Sequence, residues 1–183
     1  MSMGTVKTLL TFEEFEQLPD QPGKQELVRG ELIEMPPADY KHHDIAHRIF
    51  KLLDSALERA HACGEAGELG RVFHEMGYML SGANWLQPDV SVTHAGQSVE
   101  KYLIGAPAIA VEVISPSNAA KRIDAKAELY FQFGAREVWR FLPKKKQVMI
   151  QVPGSIRMIA EDSVITTPLL PGLALPVKEI FGD

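Results

Sequence analysis

Apolar residues recur at three- and four-residue spacings from about Asp39 to Ala62, and this pattern predicts the longest helix of the chain. A shorter helix is predicted after Thr11, because threonine is a common N-cap and Glu14, three residues on, completes a capping box. A third helix is predicted from about Ala119 to Phe133, where Gly134 supplies a C-cap. The apolar face of the longest helix consists of Ile45, Ile49, Leu52, Leu53, Ala56 and Leu57.

Alternating polar and apolar residues on both sides of Arg29-Gly30 predict a β-hairpin over Glu26–Met35. One of the other predicted strands is apolar on both faces except for Glu112, as is typical of a strand in the middle of a sheet. The proline-rich residues after Val152 predict little regular structure beyond a short hairpin or an extended segment. The further strands are predicted at Arg71–Leu80, Gln87–Thr93, Ile109–Ser115, Val138–Leu142 and Gln147–Val152.

This order of elements predicts a mixed α/β (α+β) fold around one sheet, with an N-terminal helix and hairpin. The length of 183 residues fits a single domain. Within it we expect an N-terminal extension of about 1–38, a core of about 39–152 and a C-terminal tail of 153–183.

Composition excludes several classes of protein. The chain is 45% hydrophobic and 23% charged, which is ordinary for a globular protein. Its single cysteine excludes an internal disulfide and a cysteine-rich zinc site. The net charge of −5 argues against nonspecific coating of nucleic acid, but leaves a nuclease open, because a bound metal neutralises active-site carboxylates. No apolar stretch is long enough for a signal peptide or a membrane span, so a cytoplasmic protein is expected.

Two acidic residues interrupt consecutive apolar strands. Asp89 follows Pro88 at a strand entry, and Glu112 lies in the middle of the next apolar run. If the strands are neighbours, both carboxylates can face one side of the sheet and bind a hard divalent cation such as Mg²⁺. Lys126 lies on the following helix, which can return its ammonium group towards Glu112. The alternative for Glu112 is a buried pair with an arginine or lysine.

These residues resemble the PD-(D/E)XK nuclease superfamily, and a longer pattern resembles a bacterial family of restriction endonucleases first described as a domain of unknown function. The resemblance covers about Leu10 to Val152. It implies a restriction-endonuclease-like core with a mixed central sheet flanked by helices, a nucleic-acid substrate with DNA expected first, Mg²⁺ with Mn²⁺ as a substitute, and a homodimer. The residues that carry it are Glu26 to Leu32, Pro88-Asp89, Val111 to Ser117, Asp124, Lys126, Tyr130, Gly134 and Trp139.

The resemblance implies catalytic roles for Asp89, Glu112 and Lys126, with Asp89 and Glu112 as metal ligands. The chain departs from the superfamily pattern because Ile114 stands where that pattern places lysine. The family takes this lysine from the following helix, where Lys126 matches and Lys121 competes.

Additional site residues are expected from the hairpin and the long helix. Glu26 and Glu31 are candidate carboxylates, although either can also be a surface strand residue. A histidine at the start of the long helix matches the family, and spacing favours His43 over His42. Tyr130 is interpreted as core packing. The alternative function is a catalytically silent nucleic-acid-binding or accessory module of a mobile-element or defence system.

Overall fold

The computed structural model describes residues 9–115 and 120–182. This part of the chain contains both helices and runs of consecutive strands, which confirms the predicted α+β class. The helices are α1 Phe12–Glu16, α2 Tyr40–Cys63, α3 Ala120–Gln132 and α4 Val177–Phe181. The strands are β1 Lys24–Val28, β2 Glu31–Met35, β3 Leu69–His74, β4 Tyr78–Ser81, β5 Asn84–Leu86, β6 Val90–His94, β7 Leu103–Ile104, β8 Ile109–Val113, β9 Glu137–Leu142, β10 Gln147–Val152, β11 Ser155–Ile159, β12 Val164–Thr167 and β13 Leu170–Pro176.

The helix ends follow local side-chain chemistry. The predicted capping box of α1 is confirmed: Thr11 accepts from the backbone N–H of Glu14, and Glu14 accepts from that of Thr11. Asp39 caps α2 by accepting from the backbone N–H of His42 at 2.9 Å. Gly64 ends α2 with a φ of 72°, a left-handed conformation that glycine adopts readily. The side-chain cap of Asp39 therefore sets where α2 starts, and His42 lies in the first turn of this helix.

The described strands form two larger sheets and a separate hairpin, where the sequence predicted one sheet. The first sheet has the order β11-β10-β9-β8-β6-β3, and the second has the order β2-β1-β5-β4-β7. The predicted strand Arg71–Leu80 was wrong, because the chain leaves the extended conformation at Glu75, whose φ is 48°. Gly77 then packs so closely on the Trp85 ring that a Cβ would overlap it. As a result β3 joins the first sheet and β4 joins the second.

The six-stranded sheet is mixed, since β8 and β9 are parallel and its other pairs are antiparallel. Alternate residues of β8 enter different parts of the core. Val111 packs with residues of α2, whereas Ala110 packs with residues of α3 and the second sheet. Glu112 shares the face of Ala110 by the two-residue period of a strand. The central strand thus directs its one carboxylate into the space between the two sheets.

The C-terminal tail is more regular than predicted. The predicted hairpin is confirmed as β12 and β13, but β11 also pairs with β10, and α4 ends the described chain. Pro168 lies between the hairpin strands and Pro176 precedes α4, so these prolines mark the ends of elements. Ile165 and Ile180 are fully buried in the larger core cluster. Among the described residues, no helix is long and apolar enough to cross a membrane.

Candidate active site

Three charged residues stand side by side across neighbouring strands of the six-stranded sheet. Asp89 directly precedes β6, and the pairing of Val90 with Val111 places it opposite Glu112. Glu112 in turn pairs with Arg140 of β9. Adjacent strands lie about 4.8 Å apart, so this register brings the three side chains together on one face. All three line a cavity of about 300 Å³.

Helix α3 adds a buried cation to this row. Nζ of Lys126 lies 2.7 Å from Oε1 of Glu112 and 2.8 Å from Oε1 of Glu26. Tyr130 follows four residues later on the same helical face, and its hydroxyl donates to Oε1 of Glu112 at 2.9 Å. The lysine ammonium is therefore shared between two carboxylates, one of which is also held by a tyrosine.

Strand β1 brings a second cation and a third carboxylate from the other sheet. Nζ of Lys24 lies 2.7 Å from Oδ1 of Asp89 and donates to the backbone oxygen of Gln87 at 2.8 Å. Oε1 of Glu26 accepts from the backbone N–H of Gln87 at 2.9 Å. Within the described residues, Oε2 of Glu26 is buried without a hydrogen-bond partner. The site thus forms where the two sheets meet.

The first turn of α2 completes the surroundings of Asp89. Nε2 of His42 lies 3.3 Å from Oδ1 of Asp89, and the backbone N–H of Val113 donates to Oδ2 at 2.7 Å. Together with Lys24, these contacts give the carboxylate three polar partners. The arrangement keeps Asp89 charged although it is buried.

Burial and charge move the pKa values of the two central carboxyl groups in opposite directions. Burial raises the pKa of Glu112, and the neighbouring Asp89 raises it further while Lys126 opposes the rise. Burial also acts to raise the pKa of Asp89, but Lys24 and His42 outweigh it and hold that pKa well below its usual range. Glu112 is therefore the carboxyl group that binds a proton more readily, and a cation placed beside it would release that proton.

The carboxylates in turn raise the pKa values of Lys126 and His42. Burial opposes the charge of Lys126, but Glu112 and Glu26 outweigh it and raise its pKa. Burial likewise opposes the charge of His42, and its contact with Asp89 raises its pKa nonetheless. The carboxylates therefore favour the protonated, positively charged form of both side chains.

The structure brings together four of the residues that the sequence singled out. Asp89, Glu112 and Lys126 all line the cavity, and Glu26 lies directly behind it in contact with Lys126. The structure therefore shows that these four side chains are neighbours.

Other candidates lie elsewhere. His42 and not His43 contacts Asp89, and His43 lines a different, smaller cavity. Glu31 lies in β2 opposite Val28 and is not among the residues around the main cavity. The side chain of Lys121 falls outside the described part of the chain.

Sequence reasoning missed Lys24 and Arg140. It interpreted Tyr130 as core packing and preferred His43 to His42. Lys24, Tyr130 and His42 nonetheless each left a signal. Lys24 stands two residues before Glu26, so the two share one face of β1. Tyr130 stands four residues after Lys126 and shares its helical face. His42 precedes the buried Ala46 by four residues, a spacing that places it on the inward face of α2.

The donor set suits a hard divalent cation. In the described residues no group of three or more His, Cys, Asp or Glu side chains is arranged to hold a metal ion. Two carboxylates, Asp89 and Glu112, do face one cavity, and Mg²⁺ commonly binds one or two carboxylates while it keeps several waters. The residues therefore fit Mg²⁺ or Mn²⁺ at Asp89 and Glu112.

Comparisons with known proteins agree with the fold. The profile of the Uma2 family, described as "Putative restriction endonuclease", matches residues 12–178. The crystal structure of a protein described as a putative nuclease belonging to DUF820, from Anabaena variabilis, is similar with a TM-score of 0.80 and 21% identity. The match covers 94% of this chain and 97% of that one. A search of curated proteins gave no match.

Proposed function

Since the chain belongs to the Uma2 family of putative restriction endonucleases, we propose that it is a Mg²⁺-dependent endonuclease that hydrolyses phosphodiester bonds of nucleic acid. DNA is the expected substrate, and Mn²⁺ is the expected substitute metal. One observation carries the proposal: Asp89 and Glu112 face the same cavity, with the ammonium group of Lys126 2.7 Å from Glu112.

Asp89 and Glu112 would hold the metal in this proposal. When bound, Mg²⁺ polarises a phosphoryl oxygen and lowers the pKa of a coordinated water. The register of β6 and β8 fixes the two carboxylates on one face before any ligand arrives. This preorganisation lowers the cost of assembling the site on substrate binding.

Lys126 supplies the fixed positive charge for a phosphate that becomes more negative as the reaction proceeds. Its ammonium is held by Glu26 and Glu112 inside a buried setting, where a charge acts more strongly than in water. Tyr130 keeps Glu112 oriented through its hydroxyl. Glu26 therefore acts on Lys126 as a positioning residue and is not itself expected to contact the substrate.

A homodimer is part of the proposal, because a two-fold assembly lets two sites address the two strands of a duplex. A second candidate function is a nucleic-acid-binding or accessory module without turnover. It is favoured by the contacts of Asp89, whose carboxylate already has Lys24, His42 and Val113 as partners.

The two functions differ in a direct experiment. Purified protein is incubated with Mg²⁺ or Mn²⁺ and supercoiled plasmid, single-stranded DNA or structured RNA, and its melting temperature is followed in parallel. The endonuclease predicts cleavage of at least one substrate that requires the metal and is lost in Asp89→Ala. A melting temperature that rises with Mn²⁺ only when Asp89 is present, without cleavage of any substrate, would instead identify the silent module.

A further inference from the structure

Arg140 lies in the candidate site, and the proposed hydrolysis gives it no role. It pairs with Glu112 across β8 and β9, on the side of Glu112 away from Asp89. Its side chain lines the same cavity as those two carboxylates and is only 6% exposed. A buried guanidinium group next to a metal-binding pair calls for an anionic partner.

The partners of Arg140 in the protein satisfy only part of that group. One terminal nitrogen, Nη1, donates to Oδ1 of Asp124 at 2.8 Å and lies 3.8 Å from Sδ of Met149. The other, Nη2, donates to the backbone oxygen of Ile123 at 3.3 Å. The Nε–H group is buried and has no acceptor among the described residues. The guanidinium therefore has one N–H group without an acceptor in the described chain, and a phosphate reaches it only after the side chain shifts.

Asp124 stabilises the guanidinium group of Arg140 only weakly. Its side chain is 67% exposed, and an ion pair with one exposed partner contributes little, because water and salt screen it. A phosphate can satisfy two N–H groups of a guanidinium at once, in a geometry that the planar fork favours. An arriving phosphate thus offers Arg140 more hydrogen bonds than Asp124 does, including one for the unpaired Nε–H.

We propose that Arg140 binds a non-bridging oxygen of the phosphate next to the one that is cut, and so fixes the register of the nucleic-acid strand over Asp89 and Glu112. The inference rests on the proposed nuclease function and adds a substrate-positioning residue to it. The order Asp89, Glu112, Arg140 across adjacent strands sets the direction in which the substrate strand runs over the sheet. In the free protein Asp124 keeps Arg140 in place, and the phosphate replaces Asp124 when substrate binds.

Salt dependence of binding measures this contact directly, because each phosphate that a protein neutralises adds a fixed amount to the slope of log K against log salt concentration. The probes are a labelled DNA duplex and a labelled single-stranded RNA, with Ca²⁺ in place of Mg²⁺. Arg140→Met should reduce the slope by about 0.9 for the duplex or about 0.7 for the single strand. Arg140→Lys should keep the slope and weaken binding, because an ammonium group cannot form the paired N–H contacts.

Arg59 provides the matched control. It is an exposed arginine of α2 whose guanidinium contacts Ser55, and it takes no part in the site. Arg59→Met should leave the slope and affinity unchanged. Calorimetric Mn²⁺ binding is measured on every variant, and Arg140→Met should bind Mn²⁺ like the wild type since both proposed ligands remain.

A second pair of variants addresses the same contact without altering Arg140. Asp124→Asn removes the internal competitor, so binding of the nucleic acid should tighten severalfold. Glu128→Gln removes the same charge one turn along α3, from a side chain that is also 67% exposed and pairs with Arg29. It should tighten binding less than Asp124→Asn, since only Asp124 holds Arg140.

The outcomes separate the two proposals. A wild-type protein that binds neither probe overturns the nuclease function and this inference together. Wild-type binding with an unchanged slope in a folded Arg140→Met protein that binds Mn²⁺ normally overturns this inference alone. If Arg140→Met does not fold, equal effects of Asp124→Asn and Glu128→Gln overturn it, and a larger effect of Asp124→Asn supports it.

Discussion

Nζ of Lys24 lies 2.7 Å from Oδ1 of Asp89, so a cation of the protein already occupies one side of a proposed metal ligand. The contact is largely buried, and attraction to Asp89 raises the pKa of Lys24 well above its usual range although burial opposes the charge. We therefore expect Lys24 to stabilise the metal-free protein and to compete with a metal for the same oxygen atom.

Replacement of Lys24 by methionine should separate these two effects. Lys24→Met leaves the Asp89 charge short of a partner, which should lower the free energy of unfolding by about 3 kcal/mol without metal, the scale for a broken buried pair. The rise in melting temperature with Mn²⁺ should be larger than in the wild type, because the competitor is gone. Thermal unfolding in EDTA and across a Mn²⁺ titration measures both.

Lys101→Met is the matched control for that experiment, since Lys101 pairs with Glu16 at 2.7 Å on the surface. It should unfold and respond to Mn²⁺ like the wild type. A Lys24→Met protein with the wild-type response to Mn²⁺ would show that Lys24 does not compete with the metal.

Replacement of a carboxylate and replacement of Lys126 should have different effects on metal binding and on the cleavage rate. Asp89→Ala and Glu112→Ala should lose metal binding and cleavage together. Lys126→Ala should keep most of its metal affinity and lose about 10²-fold or more in rate, the usual scale for one electrostatic group. Calorimetry and a plasmid cleavage assay measure these two quantities separately.

Lys121→Ala tests the choice between the two lysines of α3. If it abolishes cleavage while Lys126→Ala cuts normally, the lysine assignment is wrong and the nuclease function survives. If Asp89→Ala and Glu112→Ala also cut at the wild-type rate, the proposed metal site is wrong as well.

A comparison of two buried tyrosines tests whether Tyr130 contributes to the site or only to the stability of the fold. The Tyr130 hydroxyl donates to Glu112 and the Tyr78 hydroxyl donates to Ser91, each in a fully buried position. Tyr130→Phe and Tyr78→Phe should each lower the free energy of unfolding by about 1 kcal/mol, the usual net value of one hydrogen bond. Tyr130→Phe alone should change the metal affinity and the cleavage rate. Equal activity in the two variants would limit Tyr130 to a structural role.

The C-terminal hairpin should contribute to stability through a buried carboxylate. Thr167 donates to Oε1 of Glu137 at 2.7 Å, and Trp139 donates to Oε2 at 2.6 Å. Thr167→Val removes one of these donors and should lower the free energy of unfolding by about 2 kcal/mol, measured by urea denaturation. Thr166→Val, one residue earlier and exposed, is the control and should have little effect. The same midpoint for both variants would show that the Glu137 contact contributes nothing.

The parts of the fold that the sequence predicted are those with a local cause. The apolar period predicted both ends of α2 to within about one residue. Asp39 and Gly64, which cap those ends in the structure, are visible in the sequence as well. Glu112 stood out because a carboxylate in an apolar strand needs a partner wherever the strand lies. Lys126 stood out because it lies on the helix that follows Glu112, and the family resemblance supported it while leaving Lys121 as a competitor.

The parts that it missed depend on distant contacts. The separation of β3 from β4 follows from the packing of Gly77 on Trp85 and from pairing with different sheets, neither of which leaves a period in the sequence. Lys24 joins the site only because β1 pairs with β5 and so faces the six-stranded sheet. The choice of His42 over His43 was within reach, since the inward face of α2 already indicated it.

The contact of Glu26 with Lys126 joins residues that are 100 positions apart in the chain. Synthesis proceeds from the N-terminus, so β1 leaves the ribosome long before α3 does. Until α3 has emerged, Glu26 and Asp89 have been made but the ammonium group of Lys126 has not. The proposed site therefore stays incomplete in the nascent chain until α3 has been synthesised and can bring Lys126 to Glu26.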